Sequence, residues 1–412
     1  MEFSDPRIQP VTMPKWGLSM KVGKVVDWIV AEGDTVALGD DLADIETEKI
    51  AGTLESSAEG VVRRLIAAPR QDIPVSGVIA LVAPAEVDDA AVAAAAEQAS
   101  AELADLEAAI ASGEDEDTGP EIATVTSGAH TISYAGVGAT TTEGSGDSAT
   151  AAEHVVLMVH GYGGDRASWL FVQEPLANPP TGAAASRAVY ALDLPGHGAS
   201  SKTLGEGATL ADLAQAVLAV LGAVAAQGRP VHLVGHSLGG AVVAEAAARA
   251  PRRVASLTLI APAGLGSGRP GPDDGVNADY LRGFAAASSR RELKPLLEKL
   301  FADPGLVTRQ LVDDVLKYKR LDGVGASLQA ALGILLDEND GQAINTAVRL
   351  RALEGQGIPV TVLWGARDAI LAIPEGAARP DGDPPVTVVP GAGHMLHLEA
   401  PHRVLEVIEA QL

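Results

Sequence analysis

Residues 86–121 hold twelve Asp or Glu and no Lys or Arg, and this stretch divides the chain into two parts with different periodicities. Before it, residues 8–84 read as short strands and turns. Residues 22–30 and 61–66 are β-branched runs, and Glu32-Gly33-Asp34 reads as a turn. After it, strand and helix patterns alternate to the C-terminus. Within the divide, residues 87–112 are Ala-rich and acidic, with good helix propensity but few large apolar side chains. Gly113-Glu114-Asp115-Glu116-Asp117-Thr118-Gly119-Pro120 reads as solvated coil. Residues 85–120 are therefore expected to be a linker, part helix and part coil. Fully extended, roughly 35 residues reach about 120 Å, and helix shortens that reach. A chain of 412 residues accommodates two or three domains.

The first part repeats itself. Gly23-Lys24-Val25-Val26-Asp27-Trp28-Ile29 is echoed by Gly60-Val61-Val62-Arg63-Arg64-Leu65-Ile66, and each copy is followed by a turn and a further strand, residues 41–45 and 78–82. Two similar β halves predict a small two-fold barrel, with Lys49 in the connection between them. A lysine that carries a swinging arm must be exposed on a tight turn, so that a modifying enzyme can reach it. Lys49 has that setting, flanked by Glu46 and Glu48 in Glu46-Thr47-Glu48-Lys49-Ile50; a solvated hairpin lysine is the plainer reading of the residue alone. With Met13-Pro14-Lys15-Trp16-Gly17 and Gly33-Asp34-Thr35-Val36, these residues make the segment resemble a lipoyl domain of the 2-oxoacid dehydrogenase family. Biotinyl carriers have Met on both sides of the lysine, whereas Glu48 and Ile50 stand here. The resemblance implies lipoate attached to Lys49.

From about residue 121, strand candidates are residues 122–126, 130–134, 155–159, 189–192, 231–234, 257–260, 360–363 and 386–389. Helical patterns lie between most of them, which predicts a mostly parallel sheet with helices on both faces. Residues from about 264 to 350 are helical without strands and read as a cap. Gly235-His236-Ser237-Leu238-Gly239-Gly240 follows a strand and opens a helix, so its small residues would let the chain turn sharply and expose Ser237. A serine nucleophile needs a base and an acid to orient it. Asp368 follows the strand at 360–363 and His394 follows the strand at 386–389. His397 and His402 are nearby competitors that read better as packing or helix-surface histidines. An oxyanion hole needs two backbone N–H groups, expected from Leu238 and from Tyr162 in His160-Gly161-Tyr162-Gly163-Gly164. His160 is expected to brace that loop, and Leu192-Asp193-Leu194-Pro195-Gly196-His197-Gly198 to shape a turn near the site. The order Ser…Asp…His and these loops make residues 121–412 resemble an α/β-hydrolase.

Composition closes several other routes. A net charge of −24 argues against nucleic acid as a partner. No apolar run approaches the roughly 20 residues of a membrane helix, and the first ten residues do not read as a secretory signal. There are no cysteines, hence no disulfide framework and no thiol nucleophile, and a cytoplasmic setting fits. No metal-binding spacing stands out. The cap alone is neutral: residues 262–352 hold twelve basic and twelve acidic residues. Arg290, Arg291, Lys294, Lys299, Lys317, Lys319 and Arg320 offer phosphates a candidate site, although Glu292, Glu298, Asp313 and Asp314 interleave them as on ordinary solvated faces.

The fold class expected is thus multidomain, an all-β lipoyl barrel followed by an α/β-hydrolase with a helical cap. The general acyltransferase pattern of lipoyl-bearing E2 chains, His-x-x-x-Asp-Gly, is missing, and the linker has no clear binding module. One lipoyl domain joined to an α/β-hydrolase resembles instead the E2-like component of acetoin dehydrogenase systems. That resemblance implies acetyl transfer from lipoyl-Lys49 to coenzyme A. The implied partners are a thiamine-diphosphate E1, a dihydrolipoamide dehydrogenase E3, and a lipoate ligase or lipoyl transferase. The competing expectation is a hydrolase of esters, thioesters or C–C bonds that carries a lipoyl domain for association with a complex.

Overall fold

The computed structural model describes residues 3, 5–14, 22–47, 51–56, 58–112, 122–138, 152–179, 186–225, 229–265, 275–374 and 386–412. They belong to two units, each taken by itself.

The first unit carries β1 (Gln9–Thr12), β2 (Val22–Trp28), β3 (Thr35–Val36), β4 (Asp41–Glu46), β5 (Ala51–Glu55), β6 (Gly60–Leu65), β7 (Asp72–Pro74) and β8 (Val78–Ala83). They form two four-stranded sheets, ordered β5-β4-β2-β7 and β1-β8-β6-β3. The internal repeat is visible in that order, because β2 and β4 of one sheet take the places of β6 and β8 in the other. Even the irregularities coincide. The β2–β4 register shifts between Val25 and Asp27, and the β6–β8 register shifts between Val62 and Arg64, the matching positions of the two copies. Matching apolar positions fill the interior: Leu42 with Ile79, and Ile45 with Val82, all buried.

The helical part of the stretch read as a linker is α1 (Asp89–Ser112), and it is packed, not free. Val87, Val92, Ala95 and Ala99 form an apolar stripe against Ile8, Val78, Leu81 and Ala83. Alanine supplies little area per residue but lets the helix axis come close to the strand. Any extended reach therefore excludes these 24 residues.

The second unit is built on an eight-stranded sheet. Its strands are β9 (Ile122–Ser127), β10 (His130–Gly138), β11 (His154–Val159), β12 (Arg187–Leu192), β13 (Val231–His236), β14 (Val254–Ile260), β15 (Val360–Gly365) and β16 (Val386–Val389), in the spatial order β16-β15-β14-β13-β11-β12-β10-β9. All pairs from β16 to β12 are parallel, and β10 joins β12 and β9 antiparallel. Each of the eight strands coincides with a strand expected from sequence. The parallel core is buried on both faces, so β11 reads from Val155 to Val159 as a continuous apolar run, not as alternation. Helices α2 (Leu170–Ala177), α3 (Leu210–Val224) and α4 (Leu238–Arg249) connect the central strands. The cap region holds α5 (Ala278–Ala286), α6 (Arg290–Glu298), α7 (Arg309–Lys319) and α8 (Val324–Leu335); α9 (Thr346–Glu354), α10 (Leu396–Glu399) and α11 (Pro401–Glu409) complete the unit. No described helix is long and apolar enough to cross a membrane.

The chain runs from β11 outward to β12 and then returns to place β13 on the other side of β11. The carboxyl ends of β11 and β13 thus open onto a topological switch point, where open α/β sheets hold their ligands.

Candidate active site

Ser237 stands between β13 and α4 with φ 53° and ψ −118°. A non-glycine residue there is strained by roughly 1–3 kcal/mol and needs its surroundings to hold it. Three backbone hydrogen bonds do so: Ser237 N–H donates to Ile260 O at 2.9 Å, and its carbonyl accepts from Gly240 N–H and Ala263 N–H, both at 3.0 Å. A Cβ at Gly239 would collide with the carbonyls of Val159 and His160, so the elbow closes on β11 only because that position is bare.

The candidate base follows β16, and its partner follows β15. His394 Nδ1–H donates to Asp368 Oδ2 at 2.7 Å, and both side chains are almost fully buried. Asp368 Oδ1 accepts from Ile370 N–H at 2.8 Å and Leu371 N–H at 2.9 Å, so both carboxylate oxygens have partners. The proton on Nδ1 leaves Nε2 as the free base. Ser237 is linked to this pair through its neighbour. His236 Nε2–H donates to the His394 carbonyl at 2.9 Å, and the two rings lie 4.7 Å apart. Among the described residues no hydrogen bond joins Ser237 Oγ to His394; such bonds are often loose before substrate binds.

The loop after β11 lies directly against the serine. A Cβ on Gly161 would stand 3.0 Å from Ser237 Cβ. The backbone N–H groups of Tyr162 and Leu238 have no partner among the described residues. Leu238 opens α4, whose first N–H groups are orphaned by geometry. Two buried histidines brace this loop. His160 Nε2 accepts from Leu194 N–H at 3.0 Å, and His197 Nε2 accepts from Gly163 N–H at 3.2 Å. Burial lowers both, His197 to about 3, so they are neutral acceptors and not bases. Asp193, fully buried, takes the Arg166 side chain and the N–H groups of Arg166 and Ala199, fixing the turn that carries His197.

The two competitor histidines lie away from Asp368. His397 is buried between Trp169 and His236, with ring centroids 4.6 and 4.5 Å away, and burial lowers it to about 3. His402 sits on α11, beyond the loop.

The cap reaches the loops that carry Tyr162, Asp368 and His394. Tyr162 Oη donates to Leu328 O of α8 at 3.2 Å, and its ring meets Phe284 of α5 edge-on at 5.7 Å. Asn277, just before α5, donates through its backbone to Ile370 O at 2.8 Å and through its amide to Ala369 O at 3.0 Å, on the Asp368 loop. Leu300 O, after α6, accepts from His394 N–H at 2.9 Å. These ties are invisible to sequence reading, because most use backbone groups. Of the basic cap residues, Arg290 pairs with Asp313, Lys294 with Glu298, and Lys319 donates to the carbonyls ending α5. Arg291 and Arg320 have no acidic partner among the described residues; with Ser288, Ser289, Arg290, Leu316 and the Arg290-paired Asp313 they line a cleft of about 560 Å³.

In the first unit, Lys49 lies outside the described residues. On either side of it, β4 and β5 pair antiparallel, with Glu46 opposite Ala51.

The alpha/beta hydrolase family profile matches residues 156–407, and that of the biotin-requiring enzymes matches residues 9–82. The dihydrolipoyllysine-residue acetyltransferase component of the acetoin cleaving system of Pseudomonas putida is 40% identical over 398 residues, covering 97% of this chain and 96% of that one. Its counterpart from Cupriavidus necator is 41% identical over 394 residues, covering 96% and 94%. Among solved structures, a meta-cleavage product hydrolase from Pseudomonas fluorescens superposes with a TM-score of 0.54 at 17% identity, covering 70% of this chain and 96% of that one. That likeness concerns the fold alone.

Proposed function

Because the chain belongs to the family of dihydrolipoyllysine-residue acetyltransferase components of acetoin cleaving systems, we propose that it moves an acetyl group from lipoyl-Lys49 to coenzyme A through Ser237, His394 and Asp368. The observation that carries the serine route is the strained Ser237 elbow beside a buried His394–Asp368 pair at 2.7 Å. The proposed division is a lipoyl domain over 8–84, a linker over 85–120 that begins with a packed helix, and a hydrolase-fold domain over 121–412 capped by about 264–350. As a component of such a system, the chain works within a multienzyme assembly. We assign it a thiamine-diphosphate E1 that loads the arm, a dihydrolipoamide dehydrogenase E3 that reoxidises it, and a lipoate ligase or lipoyl transferase that installs it.

Lipoate on Lys49 supplies the thioester that presents the acetyl group. Ser237 Oγ attacks the acetyl carbonyl while His394 Nε2 takes its proton. Tyr162 and Leu238 N–H groups hold the oxygen as it becomes negative. Collapse leaves an acetyl-serine, and the protonated His394 gives its proton to the departing sulfur. His394 then takes the proton of the coenzyme A thiol, whose sulfur attacks the acetyl-serine; Ser237 leaves and recovers the proton. Asp368 orients the imidazole throughout and stabilises its charged form. Water is the competing acceptor, which gives the cap its purpose.

The phosphates of coenzyme A are assigned to the cleft beside Arg291 and Arg320. Support comes from geometry: α6 runs from that cleft to Leu300, and its nine residues span about 14 Å. The charged end of the co-substrate would thus sit one pantetheine arm away from His394.

The test is product partition. Purified protein is given free acetyl-dihydrolipoamide, with and without coenzyme A, as wild type and as Ser237→Ala. Acetyl-CoA made by wild type and lost in the variant supports serine-mediated transfer. Acetate formed at one rate regardless of coenzyme A would make the domain a hydrolase.

A further inference from the structure

Glu399, at the end of α10, takes no part in the chemistry above, yet it joins the cap to the base loop. Its Oε2 accepts from Gly393 N–H at 2.8 Å and its Oε1 accepts from Ala302 N–H at 2.6 Å. Ala302 belongs to the strap that leaves α6. Two residues earlier in that strap, Leu300 O accepts from His394 N–H at 2.9 Å and from Met395 N–H at 3.2 Å. The strap and the loop lie flush: a Cβ on Gly393 would stand 2.7 Å from Ala302 N. Residues 300–302 and 393–395 thus form a seam of four hydrogen bonds, and one carboxylate closes half of it.

Burial raises Glu399 above the usual carboxylate range, against the pull of the two N–H donors. No cation pairs with it among the described residues. A half-buried carboxylate without a cation is a costly way to hold two backbone segments together. Its two acceptor oxygens nevertheless suit a place where two N–H groups converge from different segments. His394 is the residue between them. Its backbone N–H is tied to the strap, its carbonyl to His236, and its Nδ1 to Asp368.

We propose that Glu399 is a positioning residue for His394, fastening the cap strap to the base loop so that the imidazole is aligned only while the cap is seated. This rests on the Ser237–His394–Asp368 reading above. Gln at 399 keeps the shape but has one acceptor oxygen, and its amide NH2 would face a backbone N–H, donor against donor.

The experiment uses the full-length, lipoylated chain and two reactions. The first is covalent labelling of Ser237 by a fluorophosphonate ester, followed by intact mass as a function of probe concentration. The second is acetyl transfer from free acetyl-dihydrolipoamide to coenzyme A. For Glu399→Gln, the maximal labelling rate and kcat should fall between roughly tenfold and 10²-fold, with the half-saturating probe concentration and KM within about twofold. The thermal unfolding transition should stay cooperative. Gly393→Ala presses on the same seam from the other side and should show the same split; it decides the matter if Glu399→Gln does not fold. Folded Glu399→Gln protein with wild-type labelling rates overturns the proposal, as does an effect confined to KM. Wild type that labels at Ser237 but makes no acetyl-CoA refutes the transfer reading alone, and labelling still decides Glu399. Wild type that fails to label at Ser237 refutes the nucleophile and the proposal with it.

Discussion

The strands on either side of Lys49 are joined by ordinary pairing, with Glu46 opposite Ala51, while Ser237 is held at φ 53° by hydrogen bonds to the start of α4 and to the stretch from Ile260 to Ala263. Along β4 the side chains at Asp41, Asp44 and Glu46 are exposed. Around the elbow, every residue from Gly235 to Ala247 is buried. A carrier residue needs to be reached from outside and to leave again, and the strands that flank Lys49 in the chain carry exposed side chains. A nucleophile needs its neighbours placed to fractions of an ångström, so its site is enclosed on all sides. Two reactive residues of one chain thus call for opposite surroundings, and the two should fail in different ways.

The largest contrast comes from replacing each residue in turn. With free acetyl-dihydrolipoamide as donor, Ser237→Ala should lower acetyl-CoA formation by roughly 10⁴-fold or more, whereas Lys49→Arg should leave it unchanged. With acetoin and the partner enzymes as the source of acetyl groups, both variants should be inactive. A Lys49→Arg protein that is slow with the free donor would break the separation.

Asp368→Asn should come next. An amide presents its NH2 or its oxygen to Nδ1, and the wrong imidazole tautomer follows, at a cost on the order of 10³–10⁴-fold in kcat. Saturation of the free donor should be little affected, because Asp368 is buried behind the histidine. No single residue beside Lys49 is expected to matter this much to turnover of the free donor.

How much of this could be read beforehand also differs between the regions. The barrel was legible through its repeat, since a copy 37 residues downstream, Gly23 to Gly60, buries the matching valines Val25 and Val62. All eight strands of the second sheet were legible as short β-branched runs, and Ser237, Asp368 and His394 as residues in the loops that follow strands. The seam between cap and base loop was not. Leu300 contributes a carbonyl and Ala302 an N–H, groups that every residue carries, and Glu399 looks like any acidic residue at a helix end. Its one signal is its place in the apolar run Leu396-His397-Leu398-Glu399-Ala400. The packing of α1 was hidden for another reason: Ala95 and Ala99 mark a close helix–strand approach that an area-based reading of apolar residues undervalues.

Acid should separate the two units as well. All nine histidines lie beyond residue 129, none in the barrel. Burial lowers His197 and His397 to about 3, from an unfolded value of 6.5. Between these values the unfolded chain binds protons that the folded unit refuses, so stability falls as pH drops from about 6.5 towards 3 and levels off below. Two fully buried histidines make the loss several kcal/mol. Differential scanning calorimetry from pH 7 to 4.5 should show the transition of the second unit moving down while that of residues 1–119 moves less. His397→Phe should flatten the dependence. Equal shifts of both transitions would mean that carboxylates, which both units carry, dominate.

Tyr162→Phe is the smallest effect and the most discriminating about the cap. The phenol does no chemistry; it donates to Leu328 O in α8, while the backbone N–H of the same residue is assigned to the oxyanion. Losing that bond removes about 1 kcal/mol of attachment between cap and oxyanion loop, or roughly fivefold if all of it appears in the transition state. The N–H remains, so kcat should fall severalfold and not by orders of magnitude. A cap held less firmly admits water to the acetyl-serine more often, so the ratio of acetate to acetyl-CoA should rise by a similar factor. A drop near 10³-fold would give the Tyr162 side chain a direct part in the reaction. An unchanged kcat with an unchanged product ratio would show that the cap covers the nucleophile without controlling it, and the enclosure that distinguishes Ser237 from Lys49 would then come from the sheet and its loops alone.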